Sequence, residues 1–265
     1  MELVLQALVY FFVSLVATTV GAMTGMGGGV IIKPVLDVLG DYDVATIGML
    51  SCITVLVMSV VSVGKQIRQK TRFPARMSVL LAVSSVVGGS LGVHVLDGMI
   101  AAAGSNSRVL VYQNICLGLL ILIVFCYMLM KDKLPTLGLN GAVPALLVGV
   151  MLGFFSSFLG IGGGPINVAI LLFVFSFGIK TATVCSIVTI LAAQVSKLVS
   201  TAVSTGFALF DFSMLPVMVI GAVLGGFIGA VLNRALPDQT VEKGFNTVQL
   251  VVLGICVLNI VRNLG

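Results

Sequence analysis

Gly25-Met26-Gly27-Gly28-Gly29 and Gly160-Ile161-Gly162-Gly163-Gly164 are the two stretches that decide the fold. Each is a Gly-x-Gly-Gly-Gly cluster in apolar surroundings, preceded by a run of membrane length and followed by a shorter apolar segment. A glycine in a helix interior costs about 1 kcal/mol relative to alanine, so a cluster of them reads as a helix break. Lipid cannot satisfy free N–H and C=O groups. An unwound segment at membrane depth therefore has to be buried in protein or line a water-filled cavity. The two clusters are the first candidates for a site.

Working outward, apolar runs close to the roughly 20 residues that cross a bilayer fall at 3–24, 44–64, 76–96, 109–130, 141–159, 182–203, 212–232 and 246–262. Shorter runs at 30–39 and 165–177 follow the glycine clusters. Hydrophobic residues make up 59% of the 265 and charged residues only 9%, with mean hydropathy +1.23. A water-soluble globule is excluded, because its surface needs charge and polarity. The expected fold is all-α, a polytopic protein of the cell membrane with the lipid bilayer as its partner. The net charge of +5 points to orientation in a membrane rather than to nucleic acid. Met1-Glu2-Leu3-Val4 runs directly into apolar sequence without a basic stretch or a small-residue cleavage site, so this segment is expected to be retained. Cys52, Cys116, Cys126, Cys185 and Cys256 all lie in apolar segments without CxxC spacing. They read as packing residues, not as a disulfide framework or a zinc site.

The two halves match. Gly25 and Gly160 lie 135 positions apart, and Gly88-Gly89-Ser90-Leu91-Gly92 and Gly225-Gly226-Phe227-Ile228-Gly229 lie 137 apart. A duplicated unit is the economical explanation, with residues 1–133 as the first repeat and 134–265 as the second. The Gly88/Gly92 and Gly225/Gly229 spacings suit close helix contact. The loop 65–76 carries Lys65, Arg68, Lys70, Arg72 and Arg76, whereas its counterpart at 204–211 has no basic residue. By the positive-inside rule the first is cytoplasmic and the second external. Equivalent loops on opposite sides mean inverted repeats. Each repeat is expected to hold a glycine-broken re-entrant helix pair plus three transmembrane helices. This topology puts ten of the fourteen basic residues inside and leaves Lys33 and Lys197 within hydrophobic segments.

A charge at the bilayer centre costs ~3 kcal/mol on insertion scales, so Lys33 and Lys197 either snorkel to an interface or serve a site. The helix breaks favour an anion. A helix starting at a break presents unpaired N–H groups and the positive end of its dipole. Pro165 suits the first helical position after Gly164. The candidate binding residues are Gly27, Gly28, Gly29, Lys33, Gly162, Gly163, Gly164, Asn167, Ser186, Gln194 and Lys197. No Asp or Glu is expected deep in a full span, since Asp37, Asp97 and Asp211 fall near segment ends. No carboxylate relay, acidic metal site, cofactor or catalytic set is therefore read, and the expected class is not an enzyme.

With two glycine clusters in homologous halves, and Pro34 and Pro165 downstream of them, the sequence resembles the TauE/SafE family, also called sulfite exporters, over essentially its whole length. Ala169 stands where Pro34 would map in the second half. The resemblance implies transport of small sulfur-containing anions such as sulfite or organosulfonates. The expected function is a secondary transporter, an exporter by preference, working by alternating access around a midplane site. The alternatives are an anion channel or a transporter of another small organic anion.

Overall fold

The computed structural model describes residues 2–69, 74–103 and 106–264. Lys70 and Arg72 of the basic loop lie outside the described residues. The described residues form ten helices in order: α1 (Glu2–Thr24), α2 (Gly29–Leu39), α3 (Val44–Arg68), α4 (Ala75–Ala103), α5 (Asn106–Met130), α6 (Ala142–Phe158), α7 (Pro165–Phe175), α8 (Ile179–Ser204), α9 (Leu215–Ala235) and α10 (Asp238–Leu264). No strand occurs among the described residues.

Every apolar run read from the sequence forms a helix; the second glycine cluster falls between α6 and α7, and the first between α1 and α2 except Gly29, which opens α2. Seven of the helices are long and apolar enough to cross a membrane. The eighth long run, 141–159, gives the 17-residue α6, shorter than its counterpart α1 of 23 residues. The second cluster ends α6: Gly160 and Gly162 adopt φ of +66° and +69°, a left-handed backbone that residues with a Cβ rarely take.

Both helix pairs around the breaks fold back on themselves. At the far end of α2, Asp41 accepts hydrogen bonds from Gln6 Nε2 (3.1 Å) and Tyr10 Oη (2.9 Å) near the start of α1. At the far end of α7, the carbonyls of Phe173 and Val174 accept from the Leu137 and Leu139 N–H groups, just ahead of α6. Ser176 Oγ donates to Thr136 Oγ1 at 2.6 Å. Each pair enters the bundle and returns to its own starting side.

Those two sides are opposite faces. Around the α1–α2 ends lie Asp43, the α8–α9 loop, where Tyr42 Oη meets Ser213 Oγ at 2.8 Å, and Arg262, which donates to the Val38 carbonyl. Around the α6–α7 ends lie Lys131, ion-paired with Glu242, and Lys180, 3.4 Å from Asp238. The latter face also carries Lys65, Arg68 and Arg234 near the ends of α3 and α9.

Packing exchanges partners between the halves: α4 lies on α6 as α9 lies on α1, and α4 touches α8 as α9 touches α3. The contact residues exchange too. Gly88 and Gly92 press on the α6 backbone at Val150, Phe154 and Phe158, while Gly225 and Gly229 press on α1 at Leu15, Thr19 and Met23. A Cβ on Gly92 would lie 3.0 Å from Phe158 N, and one on Gly229 would lie 3.0 Å from Met23 N. Small residues even swap sides of the contact, with Ser84 of α4 against Gly149 of α6 and Ser14 of α1 against Gly221 of α9. Backbones approach this closely only where side chains are missing, and dispersion and polar contacts can then hold helices together in an apolar solvent.

Candidate functional site

The glycine breaks meet each other in the middle of the bundle. A Cβ on Gly27, whose φ is +76°, would sit 3.1 Å from the Gly162 carbonyl oxygen, and one on Gly29 would collide with the Ile161 carbonyl. Side chains of α8 satisfy the unwound backbone of the first break. Thr183 Oγ1 donates to the Thr24 carbonyl (3.2 Å) and Ser186 Oγ to the Gly25 carbonyl (2.6 Å). This meets the demand that free carbonyls at membrane depth find protein partners. At the second break the Gly160 and Gly162 N–H groups donate to the carbonyls of Ser157 and Ser156. Pro165 takes the start of α7, where its missing N–H costs nothing. The N–H groups of Gly28, Gly29 and Val30, and of Gly163, Gly164 and Ile166, donate to no backbone carbonyl.

A cavity of about 550 Å³ descends towards these breaks from the face opposite Lys131 and Lys180. Its mouth carries Leu209 and Phe210 of the α8–α9 loop with Asp43 and Asp97; its depth carries Lys33, Gly48, Gln113, Gly160, Lys197 and Thr201. The two carboxylates at the mouth are exposed and screened by water. The two lysines are buried, with relative exposures of 2% for Lys33 and 6% for Lys197.

The lysines differ in what holds them. Lys33 Nζ lies 3.1 Å from Asp37 Oδ2, a buried i,i+4 ion pair along α2. Lys197 Nζ donates to the Gly48 carbonyl at 3.0 Å and has no carboxylate within ion-pair distance among the described residues. Neither lysine snorkels. Asp37 falls near the end of its short segment, as expected, but α2 is packed inside the bundle, so its carboxylate is enclosed by protein and pairs with Lys33 instead of reaching water.

Of the candidate residues, only Lys33 and Lys197 line the cavity. Gly27, Gly29 and Gly162 form the contact between the breaks, whereas Gly28 packs on Thr18 of α1, Gly163 on Ile190 of α8 and Gly164 beside Ile161; Gly160 is the cluster glycine that reaches the cavity. Gln194 stands against Gly162; its Nε2 donates to Ser156 Oγ at 3.3 Å and its Oε1 has no partner. Ser186 braces the first break. Asn167 is buried in α7 with both side-chain polar atoms unpartnered, away from the cavity wall. Sequence reasoning missed Asp37, Gly48 and Gln113, whose Nε2 donates to the Phe158 carbonyl at 3.0 Å with Oε1 left free. The Lys33-x-x-x-Asp37 spacing was the available signal for the ion pair.

Against known proteins, the Sulfite exporter TauE/SafE family profile matches residues 10–255. The chain belongs to the TauE/SafE family. It is 24% identical over 259 residues to the Probable membrane transporter protein YunE of Bacillus subtilis (strain 168), covering 86% of this chain and 88% of that protein. No solved structure matches. With seven helices fit to cross a membrane, this TauE/SafE chain is a multi-pass integral membrane transporter.

Proposed function

We propose that the chain carries a small sulfur-containing anion, of the sulfite or organosulfonate class, across the membrane, and that the anion docks beside Lys197 at the base of the cavity. The observation that carries this reading is a buried cation on a cavity wall whose one hydrogen-bond partner is a backbone carbonyl. Taking an ammonium out of water is expensive unless an opposite charge arrives, and among the described residues no carboxylate lies within ion-pair distance of it. Lys33 is neutralised by Asp37, so the depth of the cavity holds a net charge of about one, which a monoanion matches. The Gln113 amide and the Thr201 hydroxyl on the same wall offer hydrogen bonds. The sulfur class comes from the family, whose description is sulfite exporter.

Transport then requires the site to open to the other face. Residues 1–133 and 134–265 act as inverted repeats, and the exchanged packing partners support that reading. The Gly27–Gly162 and Gly29–Ile161 contacts close the passage below the cavity. Rocking one repeat against the other would part those backbones and expose the free N–H groups at the starts of α2 and α7 to the anion. By the positive-inside rule the face bearing Lys65, Arg68 and Lys131 is cytoplasmic, which makes the cavity described here the outward-facing one.

The test is flux of radiolabelled sulfite and of an alkylsulfonate in proteoliposomes, comparing the wild type with Lys197→Met. Loss of a buried charged hydrogen-bonding partner is worth about 2 kcal/mol or more, so transport at low substrate should fall roughly 30-fold. Undiminished flux in Lys197→Met would remove the basis of the proposal. Flux that rises linearly with concentration and shows no counterflow would replace the carrier with a channel.

A further inference from the structure

A second crevice lies on the lipid-facing side of the bundle, between α3 and α9, away from the transport cavity. It has a volume of about 290 Å³ and is lined by Val60, Val61, Gly64, Lys65, Arg68 and Phe227. Its lining is mixed: Val60, Val61 and Phe227 form an apolar flank, with Val60 and Phe227 about half exposed, and Lys65 and Arg68 form a charged one. Lys65 Nζ sits 4.2 Å over the Phe227 ring, a cation–π contact that holds the ammonium against an apolar surface. Neither Lys65 nor Arg68 has a carboxylate within ion-pair distance among the described residues. At Gly64 a Cβ would meet nothing within 4 Å, so the space is open there.

The matched residues in the other half carry no charge. Counting 135 positions on from α3, Ser200 stands for Lys65, Val203 for Arg68 and Val199 for Gly64; 137 positions back from Phe227 stands Ser90. There Ser90 Oγ lies 3.2 Å from Ser200 Oγ, joining α4 to α8 directly. The two halves thus differ at this one matched position by two cations and an aromatic ring, all on the face that carries the basic residues.

Positive charge at the interface end of a crevice with apolar walls, open to lipid, is the chemistry of an anionic headgroup with its acyl chain. We propose that the crevice binds one anionic phospholipid of the leaflet on the basic face, with its phosphate on Lys65 and Arg68 and an acyl chain along Val60, Val61 and Phe227. A free phosphate would have no use for the apolar walls, and a neutral lipid none for the cations.

The experiment is native mass spectrometry of the full-length protein in detergent with phosphatidylglycerol or phosphatidylcholine added. Two interfacial cations should favour the anionic lipid by roughly 30-fold. Lys65→Ser with Arg68→Val, which writes the residues of the other half onto α3, should abolish the preference. Gly64→Leu keeps both cations but fills the crevice, and in a protein of unchanged Tm it should weaken phosphatidylglycerol retention to a similar degree. Equal retention of the two lipids by the wild type would overturn the proposal. So would a preference that survives Gly64→Leu, which would mark diffuse surface charge, or displacement of the lipid by glycerol phosphate, which would mark a headgroup-only site.

Discussion

Lys33 and Lys197 share a cavity wall but not an environment, because among the described residues only Lys33 has a carboxylate within ion-pair distance. Removing one partner of a buried ion pair strands the other charge, at a cost of about 3–5 kcal/mol. Lys33→Met should therefore lower thermal stability in detergent, and adding Asp37→Leu should restore most of it. Lys197→Met strands nothing, so its melting temperature should hold or rise while transport collapses. If both single variants melt together and both fail in transport, the division of labour is wrong. Asn167 and Gln194 stood out in the sequence as polar residues in apolar helices, and both are buried. Which way a side chain faces depends on how its helix is rotated by its neighbours, which is why one candidate polar residue lines the floor contact and another lies away from the wall.

At the scale of the helix, glycine does two separable jobs, closing contacts and breaking helices. Gly92 of α4 and Gly229 of α9 bring two backbones together, and a bulky side chain there must push them apart, at about 1–3 kcal/mol or more. Gly92→Leu and Gly229→Leu should each destabilise the bundle, whereas Gly98→Leu, at a position where a Cβ meets nothing within 4 Å, should not. Equal tolerance at all three sites would mean that the α4–α6 and α1–α9 contacts carry no stability. The break glycines are constrained differently. At Gly29 even a methyl group collides with the Ile161 carbonyl of the other break, so Gly29→Ala should separate the two breaks and lower transport. Gly178→Ala, in open space at the start of α8, serves as the control. Both jobs were legible in the sequence because glycine clusters and small-residue spacings are local anomalies. That the breaks would touch one another was not.

Across the whole molecule, a cavity opens to one face and the two breaks touch one another in the middle of the bundle. In a background lacking the native cysteines, Thr201→Cys on the cavity wall should react with a membrane-impermeant sulfonated thiol reagent added from the external side, and substrate should slow that reaction. Reaction only from the basic-face side would reverse the orientation argued from charge. The sequence by itself determined the membrane class, the helices, the two breaks and the basic loop. Each of these is written in short-range hydrophobicity, glycine content or charge, which bilayer thickness and backbone chemistry read directly. Only the tertiary structure decided that the two breaks touch one another, that Asp37 pairs with Lys33, that Lys197 has no carboxylate within ion-pair distance among the described residues, and that Lys65 and Arg68 line a crevice. Those facts depend on distances between residues far apart in the chain, such as Lys197 and Gly48 or Gly27 and Gly162, and close packing between helices sets such distances.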